Sequence, residues 1–512
     1  MLKLRIFLFV LIFVLFMYSC SQKDPEDKSS ADDAETITWW CSNRAAPFGL
    51  SMGDLPVFKE LQERTGARIE FIHPPAGQYA LRFKLMLASG ELPDIISHDF
   101  INDYSGGIAG ALQDDIVLPI DGQLLRNAPH LKKYLDDNPE TAAALKTPDG
   151  KYFCVPALNT EKRTSTYIGP FIRTDYLVKH GLTAPVTVSD WEEVLSVFHQ
   201  DPSIEIPLTF YGGNIRDTRF LISSFGIDWG FFVQDGSVVY GPCEPGFRDF
   251  IVLFKKWYTK GWMDPRIMMN SRRAYNRVVR NSNVGIYVDY VSNIMNYERM
   301  LKGRDPAAEL VPIEYPRINE SAPRPPGHET GVFIPFAAAY ITPGAGDPEK
   351  VIRMLDYAWS EEGRILFNFG IEGESYFIKD GKPFFKDEIF KTEGIGNLKY
   401  YIVSGPYLKN PDSFLQILRL NTQKEAVQLW IGEQLNTERL PLLIPDKNEN
   451  IKLMNIKSRL DSYVFDTAVD IISGKKELED LEQLNADLMH MGLDEALVLY
   501  NTLYKNIKVP RN

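Results

Sequence analysis

Cysteine is scarce, with four in 512 residues, and beyond Cys20 the remaining three, Cys41, Cys154 and Cys243, lie far apart. None falls in a CxxC spacing, which excludes a disulfide framework and a cysteine-ligated zinc site. The seven histidines include no i,i+4 pair, so a helical metal centre is not indicated and no metal or cofactor is expected. Gly-x-Ser-x-Gly, His-Glu-x-x-His, phosphate-loop and dinucleotide fingerprints are all missing, and no catalytic group stands out. Positive charge is in deficit: 56 Lys and Arg against 68 Asp and Glu give a net charge of −12. A chain this acidic is a poor partner for nucleic acid or an anionic lipid surface. Long apolar runs are missing too, apart from one at the very start.

That run, Ile6 to Tyr18, follows Lys3 and Arg5 and ends at Ser19-Cys20. Thirteen apolar residues are too few to span a bilayer, which needs about 20. A basic start, a short apolar middle and a small residue have the layout of an export signal, expected over 1–19. Cys20 after the small residue resembles a bacterial lipobox, which implies lipidation at Cys20 and anchoring at the outer face of the cell membrane. Met17 and Tyr18 depart from that pattern. Over 20–35 the chain is Lys, Asp, Glu, Ser and Pro, too polar to pack, and reads as a flexible tether.

What is present beyond residue 35 alternates between strand and helix. Glu35–Trp40 is β-branched and aromatic, a strand; Asp54–Gly66 has Pro56 in a first turn and Val57, Phe58 and Leu61 on one face; Ala67–Ile72 is a second strand. Leu81, Leu85 and Ala88 mark a second helix that stops at Gly90, and Asp94–Ile96 is a third strand. Short joins between such elements imply parallel pairing, with ligand groups just beyond the strands' carboxyl ends. Further strands are expected at Thr166–Arg173, Asn283–Tyr290 and Gly331–Thr342, and helices at Phe247–Lys260 and over much of Asp446–Ile507. About 490 mature residues exceed what one core holds, so more than one lobe is expected.

Segments in this order resemble a known family. "PVFKELQERTGARIEF", "LASGELPDII", "GKYFCVP", "FIRTDYLVKHGLTAPVTVSDWEEVL", "FKKWYTKGWMDP" and "GIEGESYFIKDGKP" are similar to segments of bacterial extracellular solute-binding proteins of ABC transporters, the carbohydrate-type lipoprotein branch. The resemblance implies an α/β fold of two lobes, of the type II periplasmic-binding-protein kind, with a cleft between them and hinge crossings. The lobes are expected to be discontinuous: 36–165 with 331–385, and 166–330 with 386–512. Crossings are expected near Thr164–Tyr167, near Thr330–Phe333 and near Phe377–Phe385. The implied activity is capture of a sugar or oligosaccharide by hinge closure, in a monomer that hands its ligand to membrane permease subunits. Alternatives are a binding protein for peptides or for sensing, and a secreted carbohydrate-active enzyme.

A pyranose offers an apolar face to aromatic rings and hydroxyls to Asp, Glu, Asn and Arg. The candidates at strand ends and cleft loops are Trp40, Asn43 and Asp99 in the first lobe, and Trp229, Asp289 and Tyr290 in the second, with Glu374 and Tyr376 further on. Tyr290 fills the place where the family often has a stacking Trp. Trp39 or Trp40 must be core, because neighbouring strand residues point to opposite faces. "DKNENIK", Asp446–Lys452, starts like a calcium loop but has Ile451 where glycine is required.

Overall fold

The computed structural model describes residues 36–43, 49–211, 215–267, 272–325, 327, 331–391, 405–433 and 437–508. Cys20, the export signal and the tether lie outside these. Thr36–Asn512 forms one compact unit that contains two hydrophobic cores.

The first core surrounds a sheet of β1 (Ile37–Trp40), β2 (Ile69–Ile72), β3 (Ile95–Ile96) and the edge pair Tyr340–Ile341. β1 lies between β2 and β3 and runs parallel to both; Tyr340–Ile341 adds antiparallel to β3. Helix α1 (Pro56–Thr65) joins β1 to β2 and buries Val57, Phe58 and Leu61, the face expected from their spacing. Helix α2 (Tyr79–Ser89) joins β2 to β3 and ends on Gly90, whose φ of 73° is a left-handed cap that glycine adopts without a Cβ penalty. The face α2 turns inward is not the expected one. Leu81 and Leu85 are more than half exposed, and Phe83, backed by Tyr79, Met86 and Leu87, meets the core. The long strand expected over Gly331–Thr342 is interrupted by a turn at Pro335–Ala337, since proline offers no N–H to a ladder. Next to this sheet lies α3 (Gly107–Gln113).

The second core surrounds β4 (Ile168–Arg173), β5 (Ile206–Phe210), β6 (Val284–Tyr290) and β7 (Leu310–Pro312), in the order β5-β6-β4-β7. β5 and β6 are parallel; β4 is antiparallel to β6 and β7. Helices α4 (Val188–Gln200) and α5 (Pro245–Thr259) cover it, their fully buried Trp191 and Trp257 stacked 6.1 Å apart. Helix α6 (Arg272–Asn281) leads into β6. Arg173 is almost fully buried, with its guanidinium held by Asp175 and Asp305 and lying over the Tyr176 ring. The Arg-x-Asp of "FIRTDYL" is thereby accounted for as structure.

Among the described residues the chain passes between the cores five times, between Leu158 and Phe171, Tyr315 and Ala338, Tyr407 and Leu418, Trp430 and Ile444, and Ile444 and Leu453. The first two passages are paired near the lobe junction, where the Asn159 N–H donates to the Val332 carbonyl at 2.8 Å and Leu158 bridges Phe333. Residues Tyr376–Lys379 and Lys382–Phe385, where a crossing was expected, fold as an antiparallel hairpin. The last passage enters α7 (Lys447–Ile472), a 26-residue helix. Its first turn rests on α3 of the first lobe, with Lys447 paired to Asp114 and Asn450 against Gly107. From Leu453 onward its buried side chains belong to the second core. The calcium-loop lookalike is the start of this helix: Asp446 and Glu449 form its capping box.

Candidate functional site

The first lobe presents the carboxyl ends of three parallel strands. Beyond β1 come Cys41, Ser42 and Asn43; beyond β2, His73; beyond β3, Ser97, His98 and Asp99. A pocket here is lined by Trp39, Cys41, Ser42, Met52, Phe58, Phe71, Ser97, Phe336 and Ala337. Trp39 is its floor: the indole N–H donates to Ser97 Oγ at 2.9 Å, and the ring stacks on Phe71 at 5.4 Å. Phe336 is half exposed at its rim. His73 ties the loop after β1 in place. One ring nitrogen lies 3.1 Å from the Cys41 carbonyl, the other accepts from the Met52 N–H at 3.1 Å, and burial lowers the pKa of the ring, keeping it neutral.

Trp40, expected beside the ligand, is 3 % exposed and packed instead between Tyr79, Phe83 and His98. The alternation of the strand turns Trp39 to the pocket side and Trp40 to the opposite face, although both are 3 % exposed and both belong to the first core. Asn43 reaches the Leu50 carbonyl at 3.0 Å. Asp99 caps the helical turn Phe100–Asp103, accepting from the Asn102 N–H at 3.1 Å and its side-chain amide at 2.8 Å. His98 is buried against Phe83, with ring centroids 3.7 Å apart; desolvation lowers its pKa to about 4, so it is neutral near pH 7.

In the second lobe, register collects three tyrosines. Tyr211 follows β5, Tyr290 ends its parallel neighbour β6, and Tyr167 stands one residue before β4, whose Ile168 pairs with Tyr290. The Tyr167 and Tyr290 rings stack at 5.4 Å and 15°; Tyr211 meets Tyr290 edge-on at 4.8 Å. Burial raises the Tyr167 hydroxyl pKa, against the opposing charge of Arg439. Tyr167 belongs to the first passage between the lobes, so the cluster sits at their junction. Sequence spacing alone did not single out Tyr167 or Tyr211; the parallel pairing of β5 with β6 is what reveals them.

Asp289 precedes Tyr290 but faces inward. It is 1 % exposed, and its carboxylate accepts from the Tyr290 N–H at 2.7 Å, from Asn293 Nδ2 at 3.1 Å and from the Tyr297 hydroxyl. These bonds hold the end of β6. Trp229 is half-buried, edge-on to Phe247 and Phe250, with its indole N–H 3.3 Å from Thr218 Oγ1. Tyr376 is buried in a small separate cluster with Phe369 and Phe385, and Glu374 is exposed on the turn before it. The structure thus brings Tyr290 to the lobe junction and packs Tyr376 under its own hairpin. No group of three or more His, Cys, Asp or Glu among the described residues is placed to hold a metal.

No family model matches the chain. It is 26% identical over 495 residues to the fructooligosaccharide ABC transporter substrate-binding protein FusA of Streptococcus pneumoniae serotype 4, covering 89% of this chain and 88% of that one. The chain is a relative of the ABC-transporter substrate-binding proteins. A second relative, lipoprotein LipO of Bacillus subtilis, is 25% identical over 378 residues, 69% of this chain and 71% of LipO. Among solved structures, the alginate-binding protein AlgQ2 superposes with a TM-score of 0.76 at 22% identity, over 93% of this chain and 99% of AlgQ2. The chain therefore has the two-lobed α/β fold that its segment order implied.

Proposed function

We propose that the protein captures an oligosaccharide between its lobes and delivers it, unaltered, to the permease of an ABC importer. The observation that carries this is the tyrosine cluster on the crossing itself. Tyr290 and Tyr167 present aromatic surface at the lobe junction, with Trp39 and Phe336 lining the pocket at the strand ends of the other lobe. Aromatic faces match the C–H face of a sugar, and the relatives' names speak of fructooligosaccharide and alginate. Ligand that contacts both lobes only when they close shifts the population toward the closed form, which a permease can distinguish. In this reading Asn43, Asp99, Trp229 and Glu374 supply polar and rim contacts, Asp289 positions Tyr290, and Trp40 and Tyr376 act through packing. The protein acts as a monomer, held at the membrane through a lipid on Cys20, and does no chemistry on its cargo.

A thermal-shift screen against neutral fructans and uronic oligosaccharides tests this. Ligand at about 100 times its Kd adds about 2.7 kcal/mol to stability, a visible shift, and each bound ligand is then analysed for cleavage. Intact ligand supports a binding protein. Cleaved ligand would make it an enzyme, and a shift only with peptides would change the cargo. For the anchor, labelled fatty acid should enter the full-length chain and be lost in Cys20→Ser.

A further inference from the structure

Helix α6 carries charge of one sign only. On several other helices basic residues are matched by acids one turn away: Lys132 with Asp136, Lys133 with Asp137, Arg64 with Glu60, Lys457 with Asp461. The sequence of α6, RRAYNRVVRN, contains no acid. Tyr275, Val278 and Val279 bury one face; Arg273, Arg277 and Arg280 stand exposed on the other, at i, i+4 and i+7. No carboxylate among the described residues pairs with any of the three. Like charges at this spacing repel, and no carboxylate among the described residues offsets that. The stripe also starts next to the candidate site. Tyr275, two residues after Arg273, lies edge-on to Tyr211 at 6.3 Å, and Tyr211 touches Tyr290.

We infer that this arginine stripe seats the protein on an anionic lipid surface. The net charge of −12 repels such a surface from most of the molecule, which makes a basic stripe an orienting contact. Headgroups are favoured over an acidic protein because of the anchor proposed at Cys20, on which this inference rests. A polar tether over 21–35 reaches about 50 Å at most, so the body remains beside the bilayer. Seating through α6 places the tyrosine cluster at the membrane side, where a permease opens.

The test uses the body Thr36–Asn512, which holds both cores within itself, and vesicles of phosphatidylcholine with or without one-third phosphatidylglycerol, sedimented at low salt. Vesicles containing phosphatidylglycerol should bind it and pure phosphatidylcholine should not. Each arginine near the surface is worth about fivefold in partitioning, so R273Q/R277Q/R280Q should weaken binding on the order of a hundredfold. It should melt no lower than the parent, since repulsion is relieved. The control K132Q/K133Q/K151Q removes as many charges from paired sites and should bind as the parent does. No binding at low salt, equal loss in both variants, or retained binding in the arginine variant would each overturn the proposal. Binding to soluble polyglutamate but not to vesicles would do so too, and would make the stripe a protein-docking face. Sugar binding measured on the same preparations is independent, so failure here leaves the transport reading untouched.

Discussion

Tyr290 and His98 show how much a side chain's role depends on its partners. The stack on Tyr167 gives Tyr290 a fixed ring, and the proposed site uses that ring rather than the hydroxyl. Tyr290→Ala should therefore weaken ligand binding by roughly tenfold, about 1.4 kcal/mol, while Tyr290→Phe keeps most of it; titration calorimetry separates the two. Asp289 was legible in sequence as a polar group at a strand end, but its inward direction was not, because Asn293 and Tyr297 approach it only once the following helix forms. His98 carries a pH consequence. Its pKa in the fold, about 4, lies below the ordinary 6.5, so the unfolded chain binds more protons between those values. The stability it permits is intact above pH 6.5 and falls as pH drops toward 4, by about 3 kcal/mol at full extent. Urea melts at pH 7 and pH 4 should show this loss shrinking in His98→Phe; equal losses in both proteins would remove His98 as the cause.

At the scale of elements, strand order in the first lobe was legible because β1, α1, β2, α2 and β3 follow each other with short joins. The inward face of α2 was not. Leu81 and Leu85 have the expected spacing, yet Phe83 wins because its ring fits against Trp40 and His98. Tertiary fit overrode a clean periodicity. The stop at Gly90 was legible, since few other residues adopt a positive φ. Gly90→Ala should cost about 1 kcal/mol, read as a lower melting temperature, although nothing lies near the added methyl group. The α7 capping box is worth a comparable amount: Asp446→Ala should destabilise by about 1 kcal/mol, and adding calcium should restore none of it.

For the molecule as a whole, segment order implied two discontinuous lobes, and two cores are what the chain builds. The late crossings were hidden because they are short. Each late return touches the first core through a few residues, Tyr407 with Leu408 and Ile444 with Leu442, and no composition shift marks them. Trp191→Ala should cost about 3–5 kcal/mol through lost burial and the cavity left beside Trp257, visible in denaturant midpoints. Helix α7 stands apart from this, since it begins on one lobe and is built into the other. A rod of 26 residues is about 39 Å long, and with its first turn pinned against Gly107 it works as a lever. A tilt of only 5° at that pivot carries the far end about 3 Å, so a methyl group wedged there should be magnified across the second lobe. A Cβ on Gly107 would lie 2.3 Å from the Asn450 amide nitrogen. Gly107→Ala should accordingly alter the distance between spin labels placed one on each lobe, and change ligand affinity from a position no ligand reaches.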